Sequence, residues 1–122
     1  MEKTSKAIED YLEAFLMLEE QKQRLDISGV AALLNVSKPA VTQMANELKE
    51  LGYIEKEPYS EIVLTPTGRE LASKTYHRHK VLRSYLEGIG VSPKTAEEDC
   101  CKIEHVISNE TFEAIQKVNK GN

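Results

Sequence analysis

The chain has only two cysteines, and they are neighbours, Cys100 and Cys101. Adjacent cysteines can hardly bridge distant parts of a fold, so a disulfide framework is excluded. No apolar run approaches the roughly 18 to 20 residues that a membrane-spanning helix needs, which argues against a transmembrane role. The opening Met-Glu-Lys-Thr-Ser-Lys leads into no apolar stretch of the signal-peptide kind, so the expectation is a cytoplasmic protein. Internal repeats, low-complexity segments and glycine-rich phosphate loops are also missing. What is present is ordinary for a globular protein: 122 residues, 40% hydrophobic and 30% charged, enough for one domain or two small lobes.

The net charge of −4 argues against nucleic-acid binding only until it is divided along the chain. Residues 1–20 carry 2 basic and 6 acidic side chains, residues 21–83 carry 10 and 7, and residues 84–122 carry 4 and 7. The middle is mildly basic and both ends are acidic, so the total conceals the pattern. Two acidic ends that met in space would hold cations.

The periodicity is mostly helical. Ile8, Leu12, Phe15 and Leu16 recur at three- and four-residue steps and predict a helix from about Lys6 to Gln23. Ser28 is read as the cap of a short helix ending near Leu34. Ser37, with Pro39 in the first turn, caps a third helix that runs to Leu51 and stops at Gly52. Two β-like runs, Tyr53 to Lys56 and Glu61 to Leu64, flank the turn-forming Glu57-Pro58-Tyr59-Ser60 and predict a hairpin. Thr65-Pro66 opens a long helix to about Glu87, and Ser92-Pro93 opens another to about Ile107. Ser108 is expected to cap a last helix through Val118, with a frayed tail from Asn119. The fold class is therefore mainly α, with one two-stranded β-hairpin.

Helix, short helix, turn, helix and hairpin is the order of a winged helix-turn-helix, whose third helix enters the DNA major groove. In that helix Val41, Met44, Ala45, Leu48 and Leu51 share the expected core face. Pro39, Thr42, Gln43 and Asn46 share the opposite one. Thr and Gln side chains can hydrogen-bond base edges. Ser37 and Lys38 at its start, Lys49 near its end and Lys56 on the hairpin complete the candidate DNA contacts, the lysines through phosphates. Glu47, Glu50, Glu55, Glu57 and Glu61 must point away from such a surface.

The segment Asp99-Cys-Cys-Lys-Ile-Glu-His105 suggests metal ligation. On a helix, Glu97, Cys101, Glu104 and His105 gather on one face, and the last three stand at i, i+3 and i+4, so a thiolate, a carboxylate and an imidazole can converge on one ion. Cys100 falls instead with Ala96, Ile103 and Ile107 and reads as a small core residue. His79 lies within the apolar arc of Leu71, Ala72, Leu82 and Leu86. Asp10 and Glu13, three apart in the first helix, lie off its apolar stripe. Each of these also has a plainer reading, a core histidine or a solvated acidic face.

Several stretches together resemble the iron- and manganese-dependent repressors, the family of the diphtheria toxin repressor and the manganese transport regulator. They are Ile8-Glu-Asp10-Tyr-Leu-Glu13, Val36-Ser-Lys-Pro-Ala-Val-Thr42, Leu64-Thr-Pro-Thr-Gly-Arg69, Arg78-His79 and Cys101-Lys-Ile-Glu104-His105-Val-Ile-Ser108. The resemblance runs from about Thr4 to Ile115. It implies a homodimeric repressor that binds double-stranded operator DNA when Fe²⁺ or Mn²⁺ is bound and that controls metal-uptake genes. It implies the ligands Asp10, Glu13, His79, Cys101, Glu104 and His105. It also implies a winged domain over 1–73 and a helical metal-binding and dimerisation domain over 74–122. Iron-type members often carry a third, SH3-like domain, and a chain that ends here is nearer the manganese type. Cys101 matches the iron type, Asp10 and Glu13 the manganese type, and Arg83 stands where the family often has a carboxylate. The chain is thus a hybrid at its site, open as to metal and to one ion or two, and Zn²⁺ or Co²⁺ can bind in vitro.

Three rivals make different demands. A winged-helix transcription factor without a metal switch requires DNA binding indifferent to Glu104 and His105. An enzyme using Cys101 as nucleophile and His105 as base would need an oxyanion element, and none is legible. An interaction module without DNA affinity would show no salt-dependent binding to duplex DNA. Neither a membrane nor a small-molecule substrate is expected as partner, and no enzymatic activity.

Overall fold

The computed structural model describes residues 5–57 and 61–120, and it divides into two compact units, residues 1–73 and 74–122. In the first, α1 (Lys6–Glu20), α2 (Ile27–Leu34) and α3 (Lys38–Glu50) are followed by β1 (Ile54–Glu55) and β2 (Val63–Leu64). Helix α4 (Pro66–Gly88) begins in this unit and continues into the second, which adds α5 (Pro93–Ile103) and α6 (Asn109–Lys120). The turn expected at Pro58–Ser60 and the last two residues of the tail lie outside the described residues.

Polar caps set the helix starts. Ser5 and Ser37 accept hydrogen bonds from the amides of Ile8 and Ala40, each satisfying a donor that the first helical turn leaves unpaired. Helix α2 is capped by Asp26 rather than Ser28: the Asp26 carboxylate accepts from Gly29 N at 2.8 Å. Both residue types cap well, and Asp26 has the extended backbone that a cap requires, whereas Ser28 is already inside the helix. Helix α1 also ends sooner than its pattern suggests, at Glu20, where Lys22 takes a left-handed backbone with φ 57°. Asn35, also left-handed, turns the chain from α2 towards α3.

α1 packs on α2, α2 on α3, and α3 on β1. Phe15, Leu16, Leu18, Val30, Val41, Ala45, Leu48, Ile54, Ile62 and Leu64 are buried. Each large one of these contributes about 1.5–3 kcal/mol by leaving water. Leu51, expected in this core, is 47% exposed, because α3 stops one residue earlier and Leu51 is its C-cap. The strands pair antiparallel, Ile54 with Leu64 and Glu55 with Val63, so that Ile54 and Leu64 face inward together.

Thr65 ties the hairpin root together. Its hydroxyl donates to Gly52 O at 2.6 Å and accepts from Gly68 N at 3.1 Å, while its own amide donates to Tyr53 O at 3.0 Å. Gly52 has φ 86°, a conformation that glycine adopts without strain. Gly68 is there for space: a Cβ would sit 1.9 Å from the Tyr53 carbonyl oxygen.

The core of the second unit is Leu82, Cys100 and Phe112, flanked by Val81, Leu86, Ile103, Ile107 and Ile115. α5 ends at Ile103, four residues short of the expected Ile107. Here Glu104 is the C-cap, His105 and Val106 bond back to Lys102 O and Ile103 O in tight turns, and Ser108 must leave the helical path to cap α6 through Thr111 N. α6 in turn runs to Lys120, past the expected Val118. Among the described residues no helix is long and apolar enough to cross a membrane.

Candidate metal centre and nucleic-acid interface

The outward face of α3 carries Lys38, Pro39, Thr42, Gln43, Asn46 and Lys49, all exposed. Proline in its first turn starts the helix without a missing bond, so short polar side chains stand at its N-terminal end. The Ser37 hydroxyl is engaged as the cap. Lys49 Nζ donates to the carbonyl of Lys56 at 3.0 Å, linking α3 to the hairpin, and the half-buried Lys56 donates to Glu57 O at 3.3 Å. Uncharged hydrogen-bonding groups flanked by lysines can meet base edges and phosphates.

In the first unit, Asp10 and Glu13 lie on α1. Asp10 is half-buried with an ion pair to Lys6 at 2.8 Å, and Glu13 is only 6% exposed, an unusual position for a carboxylate.

The second unit holds the other four candidate ligands on α4 and at the end of α5. His79 is 4% exposed, its inward place set by the helical stripe it shares with Ala72 and Leu82. Its Nε2 lies 3.0 Å from Glu97 Oε1. An ionised carboxylate can only accept, so this nitrogen carries the hydrogen and the other, Nδ1, presents its lone pair when the ring is neutral. Nδ1 faces Glu104 Oε2 at 3.4 Å and the sulfurs of Cys100 and Cys101 at 3.6 and 3.8 Å. His105 Nε2 lies 3.4 Å from the other Glu104 oxygen.

Glu104 is the centre of this arrangement. It is 2% exposed, and neither carboxylate oxygen has a hydrogen-bond partner among the described residues. The Arg78 guanidinium holds its backbone, donating from Nη1 to the carbonyls of Glu104 and Ile107, both at 3.2 Å, while Nη2 bonds Asn109. Arg78 thereby satisfies carbonyls that the end of α5 leaves open. The Cys101 thiol is pushed well above its ordinary pKa, first by its hydrogen bond with Cys100, so it is a neutral thiol without a metal. A carboxylate buried without donors, beside two imidazoles and a thiol, is a donor set that fits a divalent cation.

Glu97 and Arg83 are legible in the sequence, one on the Cys101 face a turn earlier and the other as a cation near the site, but their contacts with His79 and with each other are not. Arg83 donates to Glu97 Oε1 at 2.9 Å and to Glu87 at 2.8 Å. Its charge is therefore shared between Glu97 in the cluster and Glu87 on its own helix. Cys100 is fully buried in the core, as expected, but its sulfur is also in contact with His79, which the helical pattern of α5 alone did not show.

A winged helix-turn-helix followed by a helical unit with metal-ligating side chains defines a class, the DNA-binding regulators that respond to a metal. Residues 3–62 match the iron dependent repressor N-terminal DNA binding domain, and residues 65–120 match the iron dependent repressor metal binding and dimerisation domain. The chain belongs to the iron-dependent repressor family and is a metal-dependent transcriptional repressor. It is 42% identical over 114 residues to an uncharacterized HTH-type transcriptional regulator of Methanocaldococcus jannaschii, covering 92% of this chain and 91% of that protein. It is 38% identical over 109 residues to the transcriptional regulator MntR of Salmonella typhimurium, covering 88% of this chain and 68% of that one. The solved manganese regulator SloR superposes with a TM-score of 0.81 at 26% identity, over 94% of this chain and 54% of that one. The chain thus spans about half the length of that solved regulator.

Proposed function

We propose that this chain represses transcription as a homodimer on double-stranded operator DNA, with Fe²⁺ or Mn²⁺ as the effector and metal-uptake genes as the target. The observation that carries the reading is Glu104, a buried carboxylate with no hydrogen-bond donor among the described residues and an imidazole nitrogen 3.4 Å from each oxygen. The ligand set we assign is Asp10 and Glu13 from the winged unit and His79, Cys101, Glu104 and His105 from the helical one. Its carboxylates suit Mn²⁺, and its thiol and imidazoles suit Fe²⁺. Zn²⁺ and Co²⁺ bind such donors in vitro as well, since raw affinity favours late divalent ions.

These residues would hold a divalent ion, which would supply positive charge at the site. The residues do the rest. Glu97 holds the His79 ring so that Nδ1 faces inward, and Arg78 holds the Glu104 backbone. Thr42, Gln43 and Asn46 present the groups that read bases, with Ser37, Lys38, Pro39, Lys49 and Lys56 around them. A palindromic operator requires the two recognition helices of a dimer to stand about 34 Å apart. Metal binding would narrow the ensemble towards that spacing, and linkage would then require operator DNA to raise metal affinity by the same factor.

Anaerobic titration of Mn²⁺, Fe²⁺ and Zn²⁺ into the wild type and Glu104→Ala tests the reading, with ions counted per chain. Binding that is lost in the variant supports it. If no ion binds above background, the metal switch is wrong and a winged-helix transcription factor without one becomes the better account.

A further inference from the structure

The donors of the helical unit divide by chemical softness. Glu104 with its two imidazole neighbours is hard to borderline. Two sulfurs approach the same His79 nitrogen that faces Glu104. Cys100 Sγ lies 3.6 Å from Nδ1 and 3.7 Å from Nε2 of His79, and Cys101 Sγ lies 3.8 Å from Nδ1. One donor atom from each of these three residues can be chosen so that all lie within 4.8 Å of one another. A tetrahedral ion with a Zn–N bond of about 2.0–2.1 Å and a Zn–S bond of about 2.3 Å separates nitrogen and sulfur by about 3.6 Å. Both Nδ1–sulfur separations already match that edge. Glu97 Oε2, 3.6 Å from Cys101 Sγ, stands at the margin of the same group.

We propose that His79, Cys100 and Cys101 form a binding site for thiophilic divalent ions of the zinc group, with Cys100 as a true ligand and not merely a core residue. It rests on reading this unit as metal-binding, but asks for a different ion and a different residue. Two thiolates and a neutral imidazole around a divalent ion carry no net charge. That suits a site with one sulfur at 0% exposure. Because His79 and Cys101 also serve the effector set, a zinc-group ion in this site competes with Fe²⁺ or Mn²⁺ for them. The vicinal cysteines thus separate soft ions from hard ones within a few ångströms.

The test is an anaerobic, reducing titration of the full chain with Cd²⁺, reading the ultraviolet thiolate-to-cadmium absorbance. Wild type, Cys100→Ser and Cys101→Ser are compared, and Mn²⁺ binding is measured in parallel. The expected result is a band in the wild type about twice that of either single variant. Each variant should lose at least about tenfold in Cd²⁺ affinity, in the range that loss of a metal-site partner produces, while Cys100→Ser binds Mn²⁺ like the wild type. A Cys100→Ser band equal to wild type, or a Cys101→Ser chain with no band at all, overturns the proposal and leaves Cys100 as core. Should Cys100→Ser fail to fold, the Cys101→Ser band decides alone, since only Cys100 can then give it. A full two-thiolate band with no Mn²⁺ or Fe²⁺ binding would sink the effector reading above while upholding this site.

Discussion

Glu104→Gln should move stability in two opposite directions. The glutamine is nearly isosteric, so the packing around residue 104 is preserved. In the metal-free chain the wild-type carboxylate is buried with both oxygens lacking donors. Leaving a buried polar group unsatisfied costs about 1–3 kcal/mol, and more when it is charged. The amide removes that charge and can donate to His79 Nδ1, which already lies 3.4 Å from the carboxylate. The metal-free variant should therefore be more stable than wild type by about 1–3 kcal/mol. With saturating metal the order reverses, because an ion at about 1,000 times its Kd stabilises the wild type by about 4.1 kcal/mol and the variant loses most of this. The assay is thermal unfolding of both chains in excess chelator and in saturating Mn²⁺. Each kcal/mol corresponds to about 2–8 °C in Tm for chains in this size range. The reasoning fails if the variant melts below wild type in chelator while keeping the metal-induced shift.

Glu97→Gln keeps the shape but weakens the acceptor that orients His79 and pairs with Arg83. Metal affinity measured by competition with a chelating dye should fall about 10–100-fold, with the far-ultraviolet circular dichroism unchanged. Gly68→Ala forces a methyl into the Tyr53 carbonyl and should cost about 1–3 kcal/mol in urea unfolding, with wild-type stability as the refuting outcome. Glu19 is held below the ordinary carboxylate range first by its hydrogen bond from Arg69, so this pair stabilises the fold above that range and ceases to do so as pH falls through the lowered pKa. Both partners are over a third exposed, so Arg69→Ala should cost at most about 1 kcal/mol at neutral pH and nothing at strongly acid pH. Equal losses at both pH values would contradict this.

What could be read from the sequence follows from how local the signal is. Ser37 with Pro39, Thr65 with Pro66 and Ser92 with Pro93 mark helix starts by chemistry contained in two or three residues, and all three starts stand where expected. The end of α5 does not, because it is fixed by Arg78 on a different helix taking the carbonyls of Glu104 and Ile107. Asp26 and Ser28 are equally good caps in isolation, so sequence could not choose between them. Cys101, Glu104 and His105 are legible from residue type and spacing, whereas His79, Asp10 and Glu13 enter as ligands only through the family resemblance. Periodicity within α5 puts Glu97 on the Cys101 face, but its contacts with His79 and Arg83, and that of Cys100 with His79, exist only because α5 lies against α4. Cys100 shows the limit most clearly, since the apolar face that hid it is the face that carries it to His79.

The Lys49–Lys56 contact and the Thr65 bonds bind the hairpin to the end of α3 through three separate elements. The parts of the winged unit proposed to read bases and to grip phosphates are therefore not energetically independent. Lys49 grips the main-chain carbonyl of Lys56, so Lys49→Ala should loosen the hairpin itself, and its loss should not add to that of Lys56→Ala, whose side chain the hairpin positions. The coupling energy should reach about 0.5 kcal/mol or more, as for residues coupled through a backbone shift. An alanine scan of this surface reports on a mechanical unit, and assigning each residue its own share of operator affinity would count the same interaction twice.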